Sequence, residues 1–389
     1  MPNLLRTLKS ADVSNQDVII RCDLNVPLNE NQEITDDSRI KASLPTLEYL
    51  GKYCSKVIIL SHLGRPIEGE FDPCFSLKPV AESLSAYLNT EVPLISDFRD
   101  LKKSSSQFEL FENVRFHEGE KENKEELIEK YLEHADFFIM DAFGSSHRAH
   151  ATTYGIAKKI KNSFAGFLLE SEVDALERVS ASREHPYVAI VGGSKVSTKI
   201  EILKKLSSKV DYLIPGGGIA NTLLMAKGIN TERSLVESSM LDFSNSLLNG
   251  EFGDAKVLLP TDVTTADSIN NPKEIFTDIS VDQIPKDQLI LDIGKNSAKE
   301  FSNFIAHAKT IIWNGPLGVF EVEAFSMGTK LIGEAIKRSD AYSFAGGGDT
   351  VAAINKFNLS EGMSYISTGG GASLEYLSGK KLPGIEVLK

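Results

Sequence analysis

The stretch YVAIVGGSKVSTKIEILKKL, residues 187–206, decides how the rest of the chain is read: an apolar run breaks into paired glycines and then into a helix-like segment. The same order recurs in YLIPGGGIANTLLMAKG (212–228), YSFAGGGDTVAAINKF (342–357) and YISTGGGASLEYLSGK (365–380). A strand feeding a helix through glycines offers bare backbone N–H groups and the positive helix end to an anion. Glycine also serves such turns for purely structural reasons, where φ is positive or helix and sheet pack closely. Four turns in one region, the last two followed by Asp349-Thr350 and Ala372-Ser373, favour a phosphate-bearing ligand.

Outward from this region the pattern is α/β throughout. DVIIRCDLNV (17–26), KVIILSHL (56–63) and ADFFIMDAFG (135–144) are short runs rich in β-branched or aromatic residues, and RIKASLPTLEYLGKY (39–53) and SLKPVAESLSAYLN (76–89) are helix-like. Strands alternating with helices predict parallel sheets covered on both faces, with ligands beyond the carboxyl ends of the strands. Up to about residue 163 those ends carry Asp, Asn, Arg and His; from 187 to 371 they carry glycines, lysines and a few acids. Between them AGFLLESEVDALERVSAS (165–182) sets Phe167, Leu168, Val173, Leu176 and Val179 against a carboxylate face, the pattern of a helix joining two domains.

At 389 residues the chain exceeds the size of one growing core, so two domains are expected. A net charge of −12 argues against broad nucleic-acid binding and leaves room for a local basic cleft. The first residues lack the sustained apolar segment of a signal peptide, and no later run approaches membrane-spanning length. Cys22, Cys54 and Cys74 are odd in number without CxxC spacing, which predicts free thiols in a reducing cytoplasm.

The standard nucleotide fingerprints fail. G-x-G-x-x-G/A read from Gly216, Gly346 or Gly369 meets Asn221, Val351 or Leu374 at its last position, and no Gly-Lys pair is followed by Ser or Thr as the P-loop needs. The protein-kinase HRD, DFG and APE set is missing as well.

The residues that carry chemistry follow the apolar runs. RCDLNVP (21–27), DDSR (36–39), SHLGRP (61–66), ENVRFH (112–117) and DAFGSSHRAH (141–150) would bring Arg65, Arg115 and Arg148 together if their loops share one rim. Converging arginines suit bidentate binding of phosphate or carboxylate; singly, each reads as a solvated surface residue. His147 and His150 beside Arg148 suggest an anion pocket ahead of a metal site. Lys195 and Lys199, four apart, are expected on one face at a helix start, where they would meet a transferring phosphoryl group or merely extend a basic face to Lys204 and Lys205. WNGPLGVFE (313–321) ends in a carboxylate suited to a ribose hydroxyl, and Asp349 after three glycines is placed to hold Mg²⁺ beside phosphates.

Taken in register, RCDLNVP, SHLGRP, ENVRFH, DAFGSSHRAH, VGGSKVSTKI, WNGPLGVFE, GGGDT and STGGGASLE resemble the phosphoglycerate kinase family over nearly the whole chain. The resemblance implies two doubly wound parallel-sheet, Rossmann-like domains joined by a long helix and a hinge. The first would comprise residues 1–164 with 372–389, the joining helix 165–182, and the second domain 183–371, with the hinge at 367–371. It implies that 3-phosphoglycerate or 1,3-bisphosphoglycerate is bound by Asp23, Asn25, Arg39, His62, Leu63, Gly64, Arg65, Arg115 and Arg148. ATP or ADP with Mg²⁺ would be bound by Lys199, Glu321, Gly347, Gly348, Asp349 and Thr350, with Asp349 on the metal. Arg39, Lys195 and Lys199 would stabilise the transferring phosphoryl group, in a monomeric cytoplasmic enzyme without nucleic-acid or membrane partners.

A carboxylate acceptor is already ionised at pH 7 and needs no general base, which agrees with motifs that offer cations and backbone donors alone. The competing readings are a non-enzymatic two-domain anion-binding protein, which leaves Lys195, Lys199 and Asp349 unexplained, and a nucleotide-dependent dehydrogenase, which the failed fingerprint disfavours.

Overall fold

The structure, a computed structural model, describes residues 5–389. Its contacts divide the chain into two compact units: unit 1, the residues up to Asp174 together with Lys381–Lys389, and unit 2, Ala175–Lys380.

Unit 1 is built on β1 (Asp17–Arg21), β2 (Lys56–Leu60), β3 (Leu94–Ile95), β4 (Phe108–Phe111), β5 (Phe137–Met140) and β6 (Asn162–Ala165), in the order β3-β4-β2-β1-β5-β6. Every pairing is parallel. Val18, Ile19 and Ile20 are buried on both faces, as are Val57 through Leu60. Unbroken apolar runs are what a sheet covered on both sides requires. The chain leaves β1 toward β2 on one side and returns with β5 on the other, so the carboxyl ends of β1, β2 and β5 flank the switch point where such sheets bind ligands.

Unit 2 carries β7 (Tyr187–Gly192), β8 (Tyr212–Gly216), β9 (Lys256–Val257), β10 (Asp262–Ala266), β11 (Ile275–Ser280), β12 (Leu289–Ile293), β13 (Thr310–Asn314), β14 (Tyr342–Ala345) and β15 (Tyr365–Ile366). Six of them form a parallel sheet in the order β15-β14-β13-β7-β8-β9, and here the switch point lies between β7 and β13. Each of the four glycine turns runs from a strand of this sheet into a helix: Ile200–Ser207 (after a short 3₁₀ turn), Gly217–Ala226, Gly348–Lys356 and Gly371–Leu377. The core packs around Trp313, the chain's one tryptophan, which is fully buried.

The expected α/β class with two doubly wound parallel sheets is therefore present. The three-stranded antiparallel sheet β11-β10-β12 is an addition that sequence patterning did not reveal. The helix Phe167–Ala181 forms where it was expected, with Leu169, Val173, Leu176 and Val179 buried; Phe167 and Leu168 are only half-buried, and Glu172, expected on the carboxylate face, is fully buried. Its first turn is held by Asp141, whose Oδ1 accepts from Leu169 N at 3.0 Å, and by Thr46, whose Oγ1 accepts from Phe167 N at 3.1 Å. The helix Gly371–Leu377 packs on the helix Ile200–Ser207 within unit 2.

Candidate active site

The carboxyl edge of unit 1 is a cluster of buried charges. Arg21 ends β1 and is 1% exposed; it opens the motif RCDLNVP but is absent from the predicted site residues. Its Nε donates to Thr152 Oγ1 at 2.9 Å, and its Nη2 lies 3.2 Å from His62 Nδ1. Arg39, in the first turn of the helix Ser38–Tyr53, pairs with Asp23 at 2.6 Å. Asn25 Oδ1 accepts from Gly64 N at 2.8 Å, and Arg115 Nη1 donates to Gly64 O at 2.5 Å, so the loop after β2 is tied to both neighbouring loops. Asn113 completes the tie by donating to Leu63 O at 2.7 Å.

Electrostatics report how close these groups stand. Burial works to raise the Asp23 carboxyl, but Arg39, then His62 and Arg21, outweigh it and hold it below the usual carboxylate range. Burial first, then Arg21 and Arg148, brings Arg115 down to about 10. His150 is lowered to about 4 by burial, with Arg115, Arg148 and Arg21 adding to the shift. His62 is pushed well below its ordinary value chiefly by burial, so both imidazoles are neutral at pH 7. A buried counter-charge, Glu120, accepts from Thr152 Oγ1 at 2.6 Å and sits 4.0 Å from His150. Thus Asp23, Asn25, Arg39, His62, Leu63, Gly64, Arg115 and Arg148 belong to one neighbourhood. Arg65 is exposed and forms no hydrogen bond or ion pair among the described residues.

In unit 2 the edge is backbone. The ends of β7 and β13 approach so closely that a Cβ on Gly192 would lie 1.9 Å from Pro316 O, which only glycine permits. Gly347 takes φ +104°, and a Cβ there would sit 2.7 Å from Asn314 Nδ2. Asn314 is the hub: its amide donates to Gly346 O at 2.5 Å, and its Oδ1 accepts from Lys199 Nζ. Thr350 Oγ1 accepts from Gly315 N at 2.7 Å and donates to Gly346 O at 2.9 Å. These bonds leave a 270 Å³ cavity lined by Gly193, Lys199, Gly347, Gly348, Asp349 and Thr350, among others. Burial lowers the Lys199 ammonium below its ordinary value, and Asp349 opposes the shift.

The two lysines do not share a helix face. Lys195 is exposed in the loop, whereas Lys199 ends a 3₁₀ turn and caps the helix Ile200–Ser207. Val196 between them is fully buried. A second cavity of about 320 Å³ continues past Gly193, Ser194 and Asp349 to an apolar wall that includes Leu235, Leu289, Leu291 and Val319, with Glu321 at its exposed rim. Part of that wall comes from β12 of the unforeseen antiparallel sheet.

Such an architecture defines a class: a two-unit α/β protein whose strand ends are built for anionic and phosphorylated ligands. A sequence model described as phosphoglycerate kinase matches residues 8–380. Phosphoglycerate kinase of Coxiella burnetii is 47% identical over 383 residues, covering 98% of this chain and 97% of the relative. That of Francisella tularensis subsp. novicida is 45% identical over 386 residues, covering 98% of both. Solved structures agree: phosphoglycerate kinase from Coxiella burnetii superposes with a TM-score of 0.90 at 46% identity over 99% of both chains, and the enzyme from Pyrococcus horikoshii OT3 with 0.85 at 30% identity over 99% of this chain and 98% of that one. The chain belongs to the phosphoglycerate kinase family.

Proposed function

We propose that this chain moves a phosphoryl group reversibly between the carboxyl phosphate of 1,3-bisphosphoglycerate and ADP, giving 3-phosphoglycerate and ATP. Family membership carries the reaction. The observation that distributes its parts is the contrast between the buried Arg21–His62–Arg115 edge of unit 1 and the glycine-lined cavities of unit 2.

In this reading Asp23, Asn25, Arg39, His62, Arg65, Arg115 and Arg148 bind the phosphoglycerate, with Leu63 and Gly64 shaping its loop. Lys199, Gly347, Gly348 and Thr350 bind the nucleotide phosphates, and Glu321 the ribose. Neutral imidazoles at 62 and 150 donate or accept hydrogen bonds without adding charge, so the arginines set the field that meets the anion. The acceptor carboxylate requires no base, so rate arises from in-line positioning and from charge stabilisation by Arg39, Lys195 and Lys199.

The residues present fit a divalent ion. Asp349 is exposed at the first turn of the helix Gly348–Lys356, and no group of three metal-ligating side chains occurs among the described residues. One carboxylate completed by phosphate oxygens and water is how Mg²⁺ is commonly held. When bound, the ion supplies neutralisation of the phosphate charge.

Three free cysteines support a reducing, cytoplasmic setting, and among the described residues no helix is long and apolar enough to cross a membrane. Monomeric behaviour is the accompanying expectation, checked by light scattering. The deciding experiment couples ATP- and 3-phosphoglycerate-dependent formation of 1,3-bisphosphoglycerate to its reduction by a separate dehydrogenase. No signal from pure, folded protein would defeat the reading.

A further inference from the structure

We propose that Asn221 reads the exocyclic edge of the purine base in the nucleotide cavity of unit 2, an inference that rests on the nucleotide reading above. Asn221 lies on the second turn of the helix Gly217–Ala226 and is 4% exposed. It lines the 320 Å³ cavity, and its carboxamide, without a side-chain hydrogen bond among the described residues, is open to that cavity. The other polar side chains of that cavity, Ser194, Glu321 and Asp349, are exposed at its mouth, so Asn221 is the buried polar element of an otherwise apolar wall.

Its neighbour shows what a structural residue looks like on this helix. Thr222 is fully buried and satisfied on both sides: its hydroxyl donates to Gly218 O at 2.7 Å and accepts from Glu237 N at 3.1 Å. Asn221 has no such task. Its carboxamide opens onto the cavity instead of being sealed in the core, where an aliphatic residue would suit an apolar wall better. An amide that faces the cavity on an otherwise apolar wall is placed to meet a polar edge of whatever fills it.

The chemistry of that ligand follows from the amide. A carboxamide presents one acceptor beside a donor, which complements adjacent donor and acceptor atoms on an aromatic base; adenine offers this pair in its 6-amino group and a neighbouring ring nitrogen. The phosphate cavity shares Gly193, Ser194 and Asp349 with this one, so a nucleotide whose phosphates meet Lys199 carries its base toward Asn221. Glycines 217 and 218 open the same helix and leave the base a flat approach.

The test compares ATP with purine riboside 5′-triphosphate, which lacks the 6-amino group, using the intact enzyme and its Asn221→Leu and Asn221→Ser variants. Wild type is expected to favour ATP by about tenfold in kcat/KM, the scale of one hydrogen bond completed in a buried site. In Asn221→Leu the two nucleotides should converge through a loss confined to ATP. Asn221→Ser, with a shorter hydroxyl, should behave alike if the leucine variant fails to fold. Equal use of both nucleotides by wild type, or an undiminished ATP preference in a folded variant, overturns the inference while leaving the phosphoryl-transfer reading intact. An absence of turnover with any nucleotide would overturn that reading and this inference with it.

Discussion

The two ligand edges use opposite materials. Unit 1 builds its edge from side-chain charge that is largely withdrawn from water: Arg21 is 1% exposed and Arg115 5%. Unit 2 builds its edge from backbone, with a single half-buried ammonium, Lys199, held by Asn314. Buried charge has to be compensated, which is why Asp23 and Glu120 stand behind the arginines. Backbone donors need no counter-charge; they need the absence of Cβ atoms, as Gly192 shows. Substitutions should therefore act through charge and alignment in unit 1, and through steric and conformational strain in unit 2.

The largest expected effect tests the charge side. Arg39→Ala should lower kcat by about 10²-fold or more, the scale of losing one preorganised transition-state donor. Steady-state turnover of a folded variant measures it, and near-normal kcat would remove Arg39 from the role. Lys195→Ala should fall in the same range. Because Lys195 is exposed and has no ion pair among the described residues, its loss should leave thermal stability unchanged, whereas Arg39→Ala also strands Asp23 and should lower Tm.

Next comes the backbone side, where two adjacent glycines give a controlled contrast. Gly347→Ala forces a Cβ onto φ +104° and against Asn314, at a cost of about 1–3 kcal/mol. Gly348 has nothing within 4 Å of its would-be Cβ and no positive φ, so Gly348→Ala should unfold at the wild-type denaturant concentration. Trp313 is the chain's one tryptophan and belongs to β13, so its fluorescence reads unit 2 directly. Equal stability of the two variants would break the steric account. A smaller effect is expected for Asp349→Ala, which should weaken the Mg²⁺ response by about tenfold, the scale of one charge-assisted contact. An unchanged Mg²⁺ titration would take Asp349 out of the metal site.

What could be read from sequence tracks how local the cause is. The glycine turns were legible because a strand, a break and a helix follow one another within twenty residues. The buried runs of β1, β2 and β5 were legible because a sheet covered on both faces leaves an unmistakably apolar string. The antiparallel sheet was not, since DVTTA and IFTDIS carry polar residues through strands that are short and irregularly paired. Asn314 also escaped notice: it bonds to Lys199, 115 positions away, and no periodicity encodes a side-chain hydrogen bond at that range. Lys195 and Lys199 show the converse failure, where helical spacing was present but the chain runs through a loop and a 3₁₀ turn before the helix begins.

The smallest expected effect is the most pointed test of the contrast, because each unit holds an anomalous titrating group of opposite sign. In unit 1, His150 faces Arg115, Arg148, Arg21 and His147 with Glu120 at 4.0 Å, and is lowered to about 4. Between about pH 6.5 and pH 4 the unfolded chain binds a proton there that the native chain refuses, so this group's contribution is lost as pH falls through that window. In unit 2, Asp292 is buried beneath the loop that follows β13, where it accepts from Gly328 N at 2.7 Å and Ile293 N at 2.9 Å, and burial raises it to about 7. From its ordinary value of 3.8 up to about 7 the native chain keeps a proton that the unfolded chain has released, so its contribution is lost as pH rises. Urea unfolding at pH 5 and pH 8, followed by Trp313 fluorescence and by circular dichroism, separates the two. Asp292→Asn should make the fluorescence-detected stability of unit 2 less sensitive to rising pH, whatever constant offset the lost acceptor adds. His150→Gln should leave that signal's pH slope unchanged and reduce the acid-side loss seen by circular dichroism. If both variants changed the same slope, the difference between an edge of withdrawn charge and an edge of bare backbone would not extend to how the two units respond to protons.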